Sequence, residues 1–157
     1  MRVEQAGLND IDALVSLRLA YLTEDHGALD ARDAESIQRD LPGYFRAHLG
    51  KDLFVYGIRD GETLVSCAFL LLVEKPMSPS FPNGKTGLVL NVYTRPSHRR
   101  KGYAKAVMEA LLAGAREKAL SVVELKATEN GYPLYRSVGF RDDDSGYRAM
   151  RWREKIT

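Results

Sequence analysis

The sequence predicts an α/β (α+β) chain, a mixed and mainly antiparallel sheet with helices on both faces. Two β-rich runs, "LFVYGIR" and "TLVSCAFLLLVE", are separated only by "DGE", and Asp-Gly favours a tight hairpin turn. Apolar residues at helical spacing occupy two stretches before that hairpin and one after it. A strand, a long amphipathic helix and another strand then follow in that order, a crossover that brings two strands parallel and right-handed.

The elements can be read in turn. "RVEQA" is a short first strand. "NDIDALVSLRLAYL" places Ile11, Leu14, Val15, Leu19 and Leu22 at helical spacing, with Asn9 as cap and Asp12 three residues on, in the manner of a capping box. Residues 31 to 49 carry Ile37, Leu41, Tyr44, Phe45 and Leu49 on one helical face, and Pro42–Gly43 is expected to break or kink that helix. After the hairpin, "KPMSPSFPNGKT" is a proline-rich loop and "GLVLNVYT" a strand. Helical spacing returns at Ala104, Val107, Met108, Leu111, Leu112 and Ala115. "SVVELKA" reads as a strand and "GYPLYRSV" as a short helix capped by Asn130, with Pro133 tolerated in its first turn. The acidic turn "RDDDSG" leads to a final strand, "GYRAMRW". The order is β-α-α-β-β-β-α-β-α-β-β, read as a single domain over 1–157.

Composition narrows the function. Lys and Arg number 23 against 21 Asp and Glu, a net charge of +2, too small to argue for nucleic acid. The longest apolar run, "CAFLLLV", is far short of a membrane span of ~20 residues, and "MRVEQAGLNDID" lacks the apolar core of a signal peptide. A lone cysteine, Cys67, excludes an internal disulfide and a cysteine-based metal site. His26, His48 and His98 have no metal-ligand spacing, so no metal is expected. These features fit a cytoplasmic protein. "NGKTG" ends like a phosphate-binding P-loop, but Pro79 stands where that pattern needs glycine, and a strand follows rather than a helix.

The most informative stretch is "RPSHRRKGYAKAVMEALL". Three cations, Arg99, Arg100 and Lys101, stand before Gly102 at a strand-to-helix turn. A helix N-terminus carries unpartnered amides and partial positive charge, so cations there make sense with an anion between them. Gly102 has no Cβ and Ala104 is small, which lets a ligand approach the backbone. A solvated basic turn before a core helix is the plainer account. Spacing alone reaches an anion site and stops there.

"VYTRPSHRRKGYAKAVMEALL" resembles the R-x-x-G-x-G/A signature of the GNAT superfamily of CoA-dependent N-acyltransferases, carried here by Arg99, Gly102 and Ala104. "ATENGYPLYRSVGF" is similar to the same family's L-Y-x-x-x-G-F segment, about 30 residues on. The resemblance implies the GNAT fold with its splayed parallel strand pair. It implies acetyl-CoA, or another acyl-CoA, as acyl donor and an amine-bearing acceptor as partner, and it admits a homodimer. The donor's pyrophosphate would lie on the amides from Arg100 through Lys101, Gly102, Tyr103 and Ala104 to Lys105. Its pantetheine arm would run beside Val92, Tyr93 and Thr94, with the amide of Val92 polarising the thioester carbonyl. Two positions depart from the pattern: Arg100 stands where glycine is frequent, and Thr128 where many members carry an asparagine that helps hold the arm.

Tyr135 matches the family's usual general acid; a phenol stays protonated at neutral pH and can donate to a thiolate. Otherwise it is a buried aromatic of its helix. Glu24, with Asp25 beside it, ends the first helix and is the candidate to bind an ammonium or take its proton, or else a solvated helix end. Asn91, polar within "VLNVY", either orients acceptor or water or bridges a β-bulge. Arg18 either snorkels from its apolar stripe or reaches an anionic group of the substrate. Cys67 reads as a core residue. The sequence therefore points to an N-acetyltransferase working by direct transfer in a ternary complex, with a non-catalytic acyl-CoA-binding or sensor domain of the same fold as the alternative.

Overall fold

A computed structural model describes residues 1–155. The elements are β1 (Val3–Gln5), α1 (Ile11–His26), α2 (Ala31–His48), β2 (Leu53–Asp60), β3 (Thr63–Glu74), β4 (Lys85–Thr94), α3 (Tyr103–Glu117), β5 (Val122–Glu124) and α4 (Tyr132–Ser137). Among the described residues the sheet runs β1-β2-β3-β4-β5. Every neighbouring pair is antiparallel except β4 and β5, which are parallel. The expected mixed sheet and its parallel crossover are both present.

The strands alternate between two cores. Leu53 and Val55 of β2 and Cys67 and Phe69 of β3 pack with Leu14 and Leu17 of α1 and Phe45 of α2. Tyr56, Ile58, Ala68 and Leu70 point to the other face and pack with Val107, Met108 and Leu111 of α3. Period-2 burial on both faces explains why β3 reads as one continuous apolar run. The β2–β3 hairpin closes where Asp60 pairs Thr63, with Gly61 at φ 62° in the turn, which suits a two-residue loop.

Four local expectations are corrected. The Asn9–Asp12 capping box does not form. A 3-10 turn over Leu8–Asp10 precedes α1, and the Gly7 amide donates to the Asp10 carboxylate at 2.8 Å. Arg59 of β2 also donates to Asp10 (2.6 Å) and to Glu4, so Asp10 is recruited by tertiary ion pairing. The second helix runs unbroken through Pro42 and Gly43. An interior proline forfeits one amide hydrogen bond and crowds the carbonyl four residues back, and here the helix continues past it to bury Phe45 one turn later. The N-cap of α4 is Gly131 rather than Asn130, and Thr128 braces the turn before it: its hydroxyl accepts from the Gly131 amide (3.1 Å) and its carbonyl from the Tyr132 amide (2.9 Å).

The last correction is larger. No strand forms over 146–152, and β5 is confined to three residues. Tyr147, Met150 and Trp152 are 86%, 91% and 81% exposed. The alternation of "GYRAMRW" suits a strand, but a strand needs a partner ladder, and this stretch has none within the described chain.

Candidate active site

The site is built around one irregularity in β4. Leu90 pairs Phe69 and Tyr93 pairs Cys67, so three steps along β4 match two along β3. The extra residue makes a β-bulge. Asn91 occupies it at φ 52°, a left-handed conformation that asparagine tolerates better than most residues. In a regular strand Val89 and Tyr93 would share a face. Here Val89 joins the α3 core and Tyr93 the α1 core. The bulge therefore turns Tyr93 toward α1, where its ring meets Tyr21 edge-on at 6.4 Å between centroids. Of the two readings of Asn91, the structure shows the bulge. Its buried side chain donates from Nδ2 to Cys67 Sγ (3.6 Å) and accepts at Oδ1 from Arg18 Nη1 (3.2 Å).

Beyond the bulge, β4 is open on one side. β5 pairs it only over Thr86–Leu88, and from Val89 to Thr94 no strand among the described residues lies on that side. Val92, Tyr93 and Thr94 thus line a free strand edge. Thr94 is also fixed through its hydroxyl to Ser66 (2.8 Å) and through its carbonyl to Arg99 Nε (2.9 Å).

The turn into α3 follows directly. A 3-10 turn over Pro96–His98 leads to Arg100 at φ 62° and Gly102 at φ 80°. These two left-handed residues fold the chain back so that the first helical bond runs from Ala106 to Gly102. None of the amides from Arg100 through Lys101, Gly102, Tyr103 and Ala104 to Lys105 donates to another described group. A Cβ on Gly102 would meet nothing within 4 Å, so this concave run faces open space. The Arg100, Lys101 and Lys105 side chains are exposed, and none of them forms an ion pair among the described residues. Left-handed residues, free amides, a helix N-terminus and three cations together make a seat for a multiply charged anion.

Arg99 is engaged differently. Its guanidinium bonds Glu24 (2.6 Å) as well as Thr94 and lies 5.5 Å from the centre of the Tyr93 ring. That bond holds the Glu24 carboxyl below the usual carboxylate range. His98 is held likewise, by Asp60 (2.8 Å) and by stacking on Tyr103. Neither tie is legible in the sequence, because each joins residues far apart in the chain.

Tyr135 of α4 is half-buried, its ring edge-on to Phe140 and its Cε2 2.9 Å from where a Cβ on Gly131 would lie. Burial pushes its phenol up, and the nearby Tyr21 adds to the shift. Thr128 stands in the turn before α4, its hydroxyl against Gly131. Cys67 is buried and its thiol is pushed up to about 12, so it is inert as a nucleophile. Two shallow depressions, of about 320 and 310 Å³, lie around Pro42 between α1 and α2 and are not lined by β4, α3 or α4.

A family model described as the acetyltransferase (GNAT) family matches residues 12–140. The chain belongs to the GNAT acetyltransferase family. A predicted acetyltransferase of Clostridium acetobutylicum, solved with acetyl-CoA, is 26% identical with a TM-score of 0.82, over 96% of this chain and 95% of that one. A GCN5-related N-acetyltransferase of Ralstonia eutropha is also 26% identical, with a TM-score of 0.76 over 95% and 97% of the two chains. An uncharacterised N-acetyltransferase, ycf52, of Porphyra purpurea is 30% identical over 70 residues, 45% of this chain and 40% of that protein's length. Membership of the GNAT family supports acyl transfer in general for this GNAT chain, and no helix among its described residues is long and apolar enough to cross a membrane.

Proposed function

We propose that this GNAT protein moves an acetyl group from acetyl-CoA to a primary amine by direct transfer in a ternary complex. The observation that carries the proposal is the run of free amides from Arg100 to Lys105, which follows directly on the unpaired edge of β4. The donor set suits a pyrophosphate, which takes several amide donors and neutralises Arg100 and Lys101. The β4 edge from Val92 to Thr94 can pair with an extended amide-bearing arm as a further strand would. Thr128 is the proposed further contact to the same arm.

The amine nitrogen attacks the thioester carbonyl carbon, a C–N bond forms, and the C–S bond breaks. A bulge leaves its extra residue outside the ladder, so the Val92 amide, next to Asn91, is the proposed donor to the carbonyl oxygen. Such contacts are typically worth ~3 to 4 kcal/mol. Tyr135, kept protonated by burial, donates its proton to the departing thiolate. Glu24 stays ionised at neutral pH beside Arg99 and is the proposed acceptor of the amine's proton, through water. That same ion pair makes Glu24 a weak base, which is the observation favouring a non-catalytic acyl-CoA-binding domain as the second reading.

Thermal melting with acetyl-CoA, with CoA and ATP as controls, is the test. At ~100-fold over Kd, binding should add about 2.7 kcal/mol, roughly 5 to 10 °C for a domain of this size. Stabilisation by acetyl-CoA and CoA but not ATP supports the donor site, and thiol release with an amine panel then separates enzyme from binding domain. No shift at saturating acetyl-CoA would refute both readings.

A further inference from the structure

Arg18 lies on α1 beside the apolar residues that face the sheet, yet its head group turns inward to Asn91. The Asn91 oxygen that receives it is fixed with unusual care. The residue is buried, sits in a left-handed bulge, and has its amide nitrogen tethered to Cys67. Tyr21 flanks the guanidinium with its ring centre 5.9 Å away. Burial raises the phenols of Tyr21 and Tyr44, with Asp25 adding to the first shift and Asp52 to the second, and the Arg18 charge works against both.

Its charge is not neutralised by these partners. Arg39, Arg59 and Arg99 each bind a carboxylate. Arg18 forms no ion pair among the described residues, and its one hydrogen bond goes to a neutral amide through one nitrogen. A partly buried guanidinium in such surroundings gives up part of its hydration without a carboxylate paired to it among the described residues. It keeps the planar donor edge that matches a carboxylate in bidentate fashion. The anchor Asn91 immediately precedes Val92, so a group held at Arg18 lies next to the stretch proposed to bind the thioester carbonyl.

We infer that Arg18 recognises a carboxylate on the acceptor, so that the substrate class is a small amine bearing its own carboxylate, an amino acid or a close relative. The inference rests on the acetyl-transfer reading above.

The test is a matched panel. Glycine, β-alanine, γ-aminobutyrate and several L-amino acids are compared with their own carboxamides at saturating acetyl-CoA, following thiol release, in wild type, Arg18→Gln and Arg18→Lys. For at least one matched pair the carboxylate member should be favoured in kcat/KM by ~10- to 100-fold, the range of a charged hydrogen-bonded contact. The carboxylate-to-carboxamide ratio should fall toward unity in Arg18→Gln and only partly recover in Arg18→Lys, which lacks the bidentate edge. Comparing ratios between variants cancels the differing basicity of the amines. The acetyl-CoA melting shift, measured for each variant, shows that the fold and donor site persist. A ratio near unity in wild type, a ratio unchanged in Arg18→Gln, or no turnover of any carboxylate amine by a protein that acetyl-CoA stabilises overturns the inference. Absence of any acetyl-CoA shift instead overturns the reading beneath it.

Discussion

Arg99 Nη2 donates to Glu24 Oε2 at 2.6 Å and ties the turn ahead of α3 to the last turns of α1. The two side chains are 40% and 51% exposed, so the tie is worth little in bulk stability. A double-mutant cycle with Arg99→Ala and Glu24→Gln should give a coupling of about 0.2 to 1 kcal/mol, shrinking with added salt. The Glu24 carboxyl is lowered on folding, so its contribution is present above its unfolded pKa and disappears as pH falls through the folded value. Melting curves of wild type and Glu24→Gln should therefore converge on acidification, and wild type should be the more stable at neutral pH.

Gly102 holds φ 80°, where an L-residue is strained by about 1 to 2 kcal/mol. Gly102→Ala should lower the melting temperature by roughly 2 to 8 °C. Its Cβ would enter open space rather than protein. A weaker melting response to acetyl-CoA, beyond the drop in the unliganded protein, would then be due to the methyl intruding on the ligand.

Tyr135→Phe removes the proposed acid while keeping the ring that packs against Phe140. The expected loss is ~10² to 10⁴ in kcat with little change in KM for acetyl-CoA. Because the phenol titrates above its ordinary value, wild-type activity should not fall from loss of this proton until pH rises past 10. An alkaline limb well below that, abolished in Tyr135→Phe, would contradict the assignment.

Tyr56 supplies a stability test outside the site. Its hydroxyl is buried against Gly114 of α3 and has no hydrogen-bond partner among the described residues. Removing an unsatisfied buried hydroxyl relieves a desolvation penalty, so Tyr56→Phe should stabilise the fold by about 1 kcal/mol. Gly114→Ala should destabilise, because its methyl would overlap the hydroxyl, and should do so less in the Tyr56→Phe background. Denaturant midpoints of the four proteins decide it.

The parts of this fold that were legible in the sequence depend on short-range pattern. Asp-Gly between two β-rich runs marked the hairpin, and alternation with helical spacing marked β4 and α3. The cations before Gly102 marked the open turn, since turn geometry and helix ends are local properties. Asn91 was visible as a polar residue in an apolar strand, but its consequence, the turning of Tyr93 toward α1, required the register against β3. Arg18–Asn91 and Glu24–Arg99 join residues more than 70 positions apart, and no local pattern encodes such pairs. Asp10 escaped the expected capping scheme for the same reason, because Arg59 from β2 decides its place. Pro42 was overestimated: the helix continues past it to bury Phe45.

The exposed end of the chain has an optical consequence. Trp152 is the single tryptophan, and it lies in water on a stretch that joins neither core. Indole emission from this protein therefore reports the surroundings of residues near 152 and is nearly blind to the collapse of both cores. Unfolding followed by that signal would look shallow or silent while circular dichroism registers the full transition. Conversely, any blue shift of the emission in the native protein would record that something apolar has come to rest on Tyr147, Met150 and Trp152.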